Sequence, residues 1–293
     1  MSPLVVIVGP TASGKSALAI ELALQHNGEI ICADSRTVYK GMDIGTAKPS
    51  KEDQYKVRHH LLDVVEPNQP FSAAQFKAAA IIAIKDISNR GNIPFLVGGT
   101  GLYIDALLFD YSFGGPTDAK KRAELQQLST DELIKICREK NIETPPNTQN
   151  RRHLIRAIEI EGQKKTDMAM RENTLLVGLS VPREVLQTYI IRRTEEMFKH
   201  DIINEVNNIA QKYGWESEAM TGSAYRILRP LAEGRDNLAH AFELLVRSDM
   251  ALAKRQMTWF RRNPFIEWGD SRQLTSKIEQ FLEQQTKNKA ISG

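Results

Sequence analysis

The 293-residue sequence has few cysteines, no long apolar run and little net charge. Its two cysteines, Cys32 and Cys137, do not form a C-x-x-C pair, which argues against a zinc site or a disulfide framework. No apolar run approaches the length of a membrane span, and no charged leader precedes the first apolar segment. We therefore predict a cytoplasmic protein without a membrane segment, in which both thiols are buried or partly buried.

The balance of charge gives only weak information about partners. A net charge of +3 is too small to indicate a nucleic-acid-binding protein, and 41% hydrophobic residues exclude a wholly disordered chain. Residues 151–293 carry the positive excess, largely in adjacent cations such as Arg192-Arg193 and Lys254-Arg255. Such a pair is more often a solvated helix face than a phosphate site. Charge alone therefore leaves the partner open.

The strongest local signal is the segment GPTASGKS, which follows the pattern G-x-x-x-x-G-K-S. A β-branched apolar run at 4–8 precedes it, and an apolar-faced helical pattern at 17–24 follows it. This context predicts a P-loop that binds an oligophosphate through backbone N–H groups and a helix N-terminus. The predicted phosphate-binding residues, with Ser16 also suited to Mg²⁺, are Gly9, Pro10, Thr11, Ala12, Ser13, Gly14, Lys15 and Ser16.

The order of elements predicts an α/β fold, a P-loop NTPase-like parallel sheet flanked by helices. Helical segments alternate with apolar strand patterns, and the predicted strands lie at 4–8, 29–34, 60–65, 93–97, 174–181 and 265–268. Loops that follow the carboxyl ends of such strands converge on a ligand crevice. We therefore expect the segments 9–16, 34–37 and 98–101 to meet.

A change of pattern near residue 111 predicts an inserted helical subdomain. A linker at 113–117 leads into a helix at 118–128. A second helix begins at Ser129 with a capping box, and a third spans 151–161. We assign 112–171 to the insertion, and 1–111 with 172–293 to the core. Helices are predicted over 73–89, 183–213, 222–233 and 238–260, and the polar tail at 284–293 is expected to fray.

Three residues outside the P-loop are candidates for chemistry. Asp34 ends a strand, where a carboxylate either holds Mg²⁺ through water or acts as a general base. Thr100 lies between glycines, which leaves its side chain free to reach a ligand. Arg193 shares a helix face with apolar residues, so it either extends to solvent or points into a polyphosphate site.

The motifs together resemble the tRNA dimethylallyltransferase family in its bacterial form. The resemblance covers nearly the whole chain in order, and the eukaryotic zinc finger is absent. Its most specific part is the stretch that begins at Asp34. The segments that carry it are GPTASGKS at 9–16, ADSRTVYKGMDIGTAKP at 33–49, FLVGGTGLY at 95–103 and AKRQMTWFRR at 253–262.

The resemblance implies a reaction and a role for each matching position. The family transfers a dimethylallyl group from dimethylallyl diphosphate to N6 of the adenosine 3′ of the tRNA anticodon, with Mg²⁺. By position, Asp34 would be the general base, Thr100 would line the reaction channel and Arg193 would brace the diphosphate. The insertion would grip the anticodon stem-loop, and we expect a monomer. Positions that match tRNA-contacting stretches are Asp34, Ser35, Arg36, Thr37, Arg122, Arg152, His153, Arg156, Tyr225, Arg226, Lys254, Arg255, Gln256, Trp259 and Arg261.

The residues alone leave three other functions open. A P-loop small-molecule or nucleoside kinase shares the loop and an arginine, but it consumes ATP. A nucleotide-dependent RNA-binding protein would have no prenyl chemistry. A prenyltransferase that acts on free adenylate would not need the predicted RNA-facing stretches.

Overall fold

A parallel β-sheet forms the centre of the protein, for which a computed structural model describes residues 2–111, 113, 118–145, 147–161 and 169–292. The six strands are β1 Leu4–Val8, β2 Gly28–Cys32, β3 His59–His60, β4 Ile93–Gly98, β5 Thr174–Leu179 and β6 Glu267–Gly269. They pair in the order β3-β2-β4-β1-β5-β6, and every pairing is parallel. The predicted fold class is confirmed.

Helices occupy most of the chain between and after these strands. In chain order they are α1 Lys15–Gln25, α2 Lys51–Lys56, α3 Ala73–Asn89, α4 Gly101–Leu108, α5 Ala119–Gln127, α6 Thr130–Glu139, α7 Arg151–Glu159, α8 Arg183–Lys199, α9 Ile202–Tyr213, α10 Ser223–Ala232, α11 Leu238–Phe260 and α12 Ser271–Ser292. Ser72 and Ser129 form the capping boxes that open α3 and α6. None of the helices in the described part of the chain has the length and apolar character needed to cross a membrane.

The chain forms two compact units, Met1–Leu108 with Arg171–Gly293 and, separately, Phe109–Met170. The sequence predicts the division at 112 and 171, and its linker at 113–117 lies outside the described residues except for Phe113. In the larger unit β1 is fully buried, and the α1 face containing Leu18 and Leu22 packs in the same core as Leu274 and Ile278 of α12. The smaller unit has its own core, with Leu133, Cys137, Leu154 and Ile158. Both cysteines are buried and unpaired.

Three predicted segments differ from the structure. The strand at 60–65 ends after His60, because Leu61 and Asp63 take positive φ values of 62° and 54° and turn the backbone out of the sheet. The helix predicted over 183–213 is interrupted at Asp201, whose φ of 61° ends α8 and whose carboxylate caps α9. The tail predicted to fray from residue 284 continues α12 as far as Ser292.

A polar cluster around the buried Glu29 links the beginning of β2 to the neighbouring segments. Both carboxylate oxygens of Glu29 accept hydrogen bonds from Arg90 Nη2 at 2.8 Å. His60 Nε2 lies 2.6 Å from Oε2, and Asn92 Nδ2 donates to Oε1 at 2.6 Å. Burial would raise the pKa of Glu29, but these hydrogen bonds outweigh it and lower the pKa to about 2. The ionised carboxylate is therefore the stabilising form.

We expect Glu29→Gln to lower the free energy of unfolding by about 1–3 kcal/mol at neutral pH, because the amide loses the charge that pairs with Arg90 and one of the two oxygens that accept hydrogen bonds. Since the folded-state pKa is depressed, the wild-type advantage is complete above the ordinary value of 4.5 and is lost as the pH falls toward about 2. Urea denaturation of both proteins across acidic pH measures this. The exposed Glu283→Gln is the control, and an equal or pH-independent loss in both variants would contradict the assignment.

Candidate active site

The P-loop joins β1 to α1 and closes around its own lysine. Gly14 precedes the helix with a left-handed φ of 88°, a conformation that glycine adopts without strain. Lys15 Nζ donates to the Pro10 carbonyl at 3.1 Å, and the Ser13 N–H donates to the same carbonyl at 3.3 Å. Within the described residues, the buried Ser13 Oγ has no hydrogen-bond partner. The loop thus presents N–H groups, an ammonium and a hydroxyl to one small cavity.

The loops after β2 and β4 lie side by side, as their positions in the sheet predict. The Thr100 N–H donates to the Ala33 carbonyl at 3.2 Å, and Thr100 Oγ1 accepts the Ser35 N–H at 3.0 Å. Asp34 Oδ1 accepts the Arg36 N–H at 2.8 Å, which fixes the carboxylate at the strand end. The predicted neighbours Asp34 and Thr100 therefore belong to one hydrogen-bonded unit.

Arg193 reaches this region from α8. Its Nη1 donates to Thr11 Oγ1 at 2.5 Å, and its Nη2 pairs with Asp249 of α11. Ile190 and Met197, one turn to either side, are buried, so the arginine lies on an apolar helix face. The buried Nε has no hydrogen-bond partner in the described part of the chain. The side chain therefore contacts the P-loop and does not extend into solvent.

Two cavities meet at these residues. The smaller, of about 220 Å³, is lined by the P-loop from Thr11 to Ser16 together with Asp34 and Thr37. The larger, of about 400 Å³, extends from Asp34 and Thr100 toward α10 and α11. The residues common to both linings are Thr11, Lys15, Asp34, Thr46 and Arg193. A ligand in one cavity would therefore contact the same groups as a ligand in the other.

The charges around the shared residues are arranged for an anion. The pKa of the Lys15 ammonium is lowered to about 8. Burial is the largest cause, the Asp34 carboxylate opposes it, and the Arg193 guanidinium adds a smaller decrease. A bound anion would favour the charged form of Lys15 and relieve the repulsion between the two cations.

Most of the predicted RNA-facing residues of the larger unit fall on the larger cavity. Ser35, Arg36, Tyr225, Arg226, Arg255 and Gln256 line it. Thr37 differs: it is 5% exposed and lines the smaller cavity beside the P-loop. Lys254 and Arg261 are exposed on or next to α11. Trp259 is 38% exposed, and its indole N–H donates to Asp105 Oδ2 at 2.7 Å.

The four predicted residues of the smaller unit form two groups. Arg122 and Arg156 both pair with the buried carboxylate of Glu159, at 2.9 and 3.1 Å, and so brace the subdomain. Arg152 and His153, on α7, are exposed. The structure thus gives the first pair an internal partner and leaves the second pair at the surface.

No local sequence pattern identifies two acidic residues that organise the site. Glu205 of α9 accepts the N–H groups of Asp43, Ile44 and Gly45 at 2.7, 2.7 and 2.9 Å, and the Tyr225 hydroxyl at 2.7 Å. A Cβ on Gly45 would lie 2.8 Å from the Tyr225 ring, so the glycine permits this packing. Asp249, described above, holds Arg193. Apart from the contact with Tyr225, which is 20 positions from Glu205, these contacts join residues at least 56 positions apart, and no local pattern encodes them.

The oxygen groups of the smaller cavity suit a magnesium ion. Ser16, Thr37 and Asp34 all line it, and the buried Thr37 Oγ1 has no partner among the described residues. Hard cations such as Mg²⁺ take oxygen ligands and bind through few protein groups together with substrate phosphates. No cluster of three or more His, Cys, Asp or Glu side chains suited to a metal occurs in the described ranges. The donor set therefore fits Mg²⁺ held jointly with a phosphate ligand.

Comparison with known proteins gives one consistent result. The family model described as IPP transferase matches residues 37–263. A tRNA dimethylallyltransferase of Macrococcus caseolyticus is 39% identical, with coverage of 96% of this chain and 94% of that protein. The corresponding protein of Geobacillus thermodenitrificans is also 39% identical, with 95% of each chain covered.

Solved structures agree with the sequence comparisons. The full-length tRNA isopentenylpyrophosphate transferase of Bacillus halodurans superposes with a TM-score of 0.75 at 33% identity, covering 99% of this chain and 100% of that one. A eukaryotic dimethylallyltransferase acting on tRNA gives a TM-score of 0.78 at 23% identity over 92% of this chain and 74% of its own, a likeness of fold.

We expect the affinity for inorganic diphosphate to fall as the pH rises through about 8, because Lys15 loses its proton there. The loss would be at most about tenfold per pH unit, since one proton is involved. Titration calorimetry at neutral and alkaline pH measures it. Lys15→Arg stays charged and serves as the control, because any ionisation of the ligand affects both proteins. The same pH profile in both would contradict the role of Lys15.

Proposed function

Because the chain belongs to the IPP transferase family, we propose that it is a tRNA dimethylallyltransferase. It transfers the dimethylallyl group of dimethylallyl diphosphate to N6 of the adenosine 3′ of the anticodon in tRNA, and it releases diphosphate. The observation that carries this proposal is the meeting of two cavities at Asp34, one lined by the P-loop and one lined by Arg36, Tyr225 and Arg226. A donor diphosphate and an acceptor base would reach the same carboxylate from different directions.

The chemistry follows from where charge and protons move. The adenine N6 forms a bond to C1 of the dimethylallyl group while the C1–O bond breaks, and its electron pair leaves with the diphosphate. Asp34 takes the proton that N6 loses. The P-loop N–H groups, Lys15 and Arg193 bind the diphosphate oxygens on which negative charge increases in the transition state. Thr100, bonded to Ser35, lines the passage beside Asp34.

The proposal includes Mg²⁺, tRNA and a working location. Ser16 and Thr37 would hold the ion with the diphosphate, and a bound Mg²⁺ neutralises charge on the leaving group. The anticodon loop is a favourable RNA target, since its bases are partly unstacked and need little energy to enter a cavity. We propose a monomer that works in the cytoplasm, where unmodified tRNA is present.

The direct test is incorporation of labelled dimethylallyl diphosphate into unmodified bulk tRNA, with and without ATP. We expect label in RNA, dependent on Mg²⁺ and independent of ATP. Phosphoryl transfer from ATP without prenylation would favour a kinase. Label on free AMP but not on tRNA would favour an adenylate prenyltransferase, and binding of RNA without transfer would favour a non-enzymatic role.

We expect Asp34→Asn to slow the chemical step by about two to four orders of magnitude, the usual contribution of a positioned general base. Asparagine is nearly isosteric, so the Arg36 N–H keeps an acceptor and both substrates should still bind. Single-turnover rates across a magnesium titration measure the effect. Recovery to a near wild-type rate at high magnesium would contradict the role as base and assign Asp34 to metal binding instead.

We expect substitution of Lys254, Arg255 and Arg261 by glutamine to weaken tRNA binding and to reduce its salt dependence. Arg255 lines the larger cavity, and Lys254 and Arg261 are exposed on or next to the same helix, α11. Each lost phosphate contact lowers the slope of log K against log salt by roughly 0.7–0.9. Filter binding of an anticodon stem-loop at several salt concentrations measures the slope.

The matched control replaces Lys85, Arg272 and Lys287, three exposed cations on α3 and α12 that line neither cavity. It removes the same net charge at a distance from the site. Equal slopes in the two triple variants would mean that general charge, rather than this surface, attracts the RNA.

A further inference from the structure

Gln256 of α11 connects two loops of the active site. Its Oε1 accepts the Thr11 N–H of the P-loop at 2.7 Å, and its Nε2 donates to the Gly99 carbonyl at 3.1 Å. One side chain thus uses its acceptor and a donor to join the loop after β1 to the turn after β4. The position matches a stretch for which the resemblance implies contact with RNA, but the amide is engaged within the protein.

The turn after β4 packs directly against α11 at this bridge. A Cβ on Gly99 would lie 2.3 Å from Gln256 Nε2, and a Cβ on Gly101 would lie 2.2 Å from Trp259 Cδ1. Trp259 is one helical turn beyond Gln256, and its indole is fixed by Asp105 at 2.7 Å. Two glycines of the turn therefore accept two side chains of α11 in direct contact.

The bridge acts on the groups assigned to the reaction. Thr11 is held at its N–H by Gln256 and at its hydroxyl by Arg193, at 2.5 Å. On the other side, Gly99 precedes Thr100, which bonds to Ser35 beside Asp34. Gln256 thus sets the separation between the residues assigned to the donor diphosphate and those assigned to the acceptor amine.

We propose that Gln256 is a positioning residue for the transfer, which holds the P-loop and the turn at 98–101 in register, and that it is not an RNA contact. This inference rests on the proposed function for the identity of the two ligands. A positioning role acts on diphosphate affinity and on the rate of the bound complex, since a misplacement of about 1 Å between reacting groups costs about a hundredfold in rate. An RNA contact would act on RNA affinity and its salt dependence.

The first test uses Gln256→Met, which keeps the length of the side chain and removes both hydrogen bonds. We expect the Kd for inorganic diphosphate with Mg²⁺ to rise about tenfold in calorimetry, the value of one or two hydrogen bonds. The single-turnover rate should fall by roughly 10–100-fold, while the Kd for an anticodon stem-loop stays unchanged. Thr258→Ala, at an exposed position on the same helix where the hydroxyl bonds to the Lys254 carbonyl, is the control.

A double-mutant cycle provides a second and independent test. Gly99→Ala inserts a Cβ where Gln256 Nε2 lies, so we expect it to weaken diphosphate binding as Gln256→Ala does. In the double variant the shortened side chain leaves space for the new methyl group. The double variant should therefore lose no more diphosphate affinity than Gln256→Ala alone. If the two substitutions acted independently, their losses of affinity would add. The cycle remains informative even if Gln256→Met unfolds.

The outcomes separate this inference from the proposed function. A raised RNA Kd with unchanged diphosphate binding, no effect on either, or additive losses in the cycle would overturn the role of Gln256. If the variants weaken diphosphate binding as expected but the wild-type protein transfers no prenyl group, the role of Gln256 stands and the proposed function is overturned. A wild-type protein that binds no diphosphate would overturn both.

Discussion

The site depends on how closely β4 approaches the end of β2. The Ala33 N–H donates to the Val97 carbonyl at 2.8 Å, and a Cβ on Gly98 would lie 2.1 Å from the Ala33 carbonyl oxygen. Only glycine permits this approach, and it makes the chains beyond the two strands leave the sheet together. Asp34 and Thr100 are neighbours for this reason. Since β1 pairs with the other side of β4, the P-loop completes the site along the same edge.

The sequence predicted most of the fold because its signals are local. The β-branched run before the P-loop, the capping boxes at Ser72 and Ser129 and the long apolar stripe of α11 each follow from neighbouring residues. The convergence of Gly9–Ser16, Asp34 and Thr100 also needed only the rule that parallel strands end at one edge. The errors arose where single residues with positive φ, Leu61 and Asp201, interrupt an otherwise regular pattern. Non-glycine residues rarely adopt that conformation, so no pattern predicts it.

The remaining part of the site could not be predicted because it is built from contacts between distant segments. Glu205 holds the loop at 43–45, Asp249 holds Arg193, and Gln256 joins the loops after β1 and β4. Each partner pair lies far apart in the chain, and each side chain would suit solvent equally well on a helix surface. The buried Lys48, paired with Asp43 and Asp63, shows the same limit, since its sequence context resembles an ordinary exposed loop.

In the proposed reaction, these long-range contacts would let one site bind the donor and then favour the departure of diphosphate. Asp249 and Thr11 orient Arg193 within the protein, so little reorganisation would accompany the growth of charge on a bound diphosphate. Lys15, with its pKa lowered to about 8 by burial and by Arg193, gains most from a partner of high negative charge. A diphosphate that separates from carbon carries more charge than one still esterified. In the proposed reaction this arrangement would stabilise the leaving group more strongly than the bound donor, and that difference would lower the barrier to transfer.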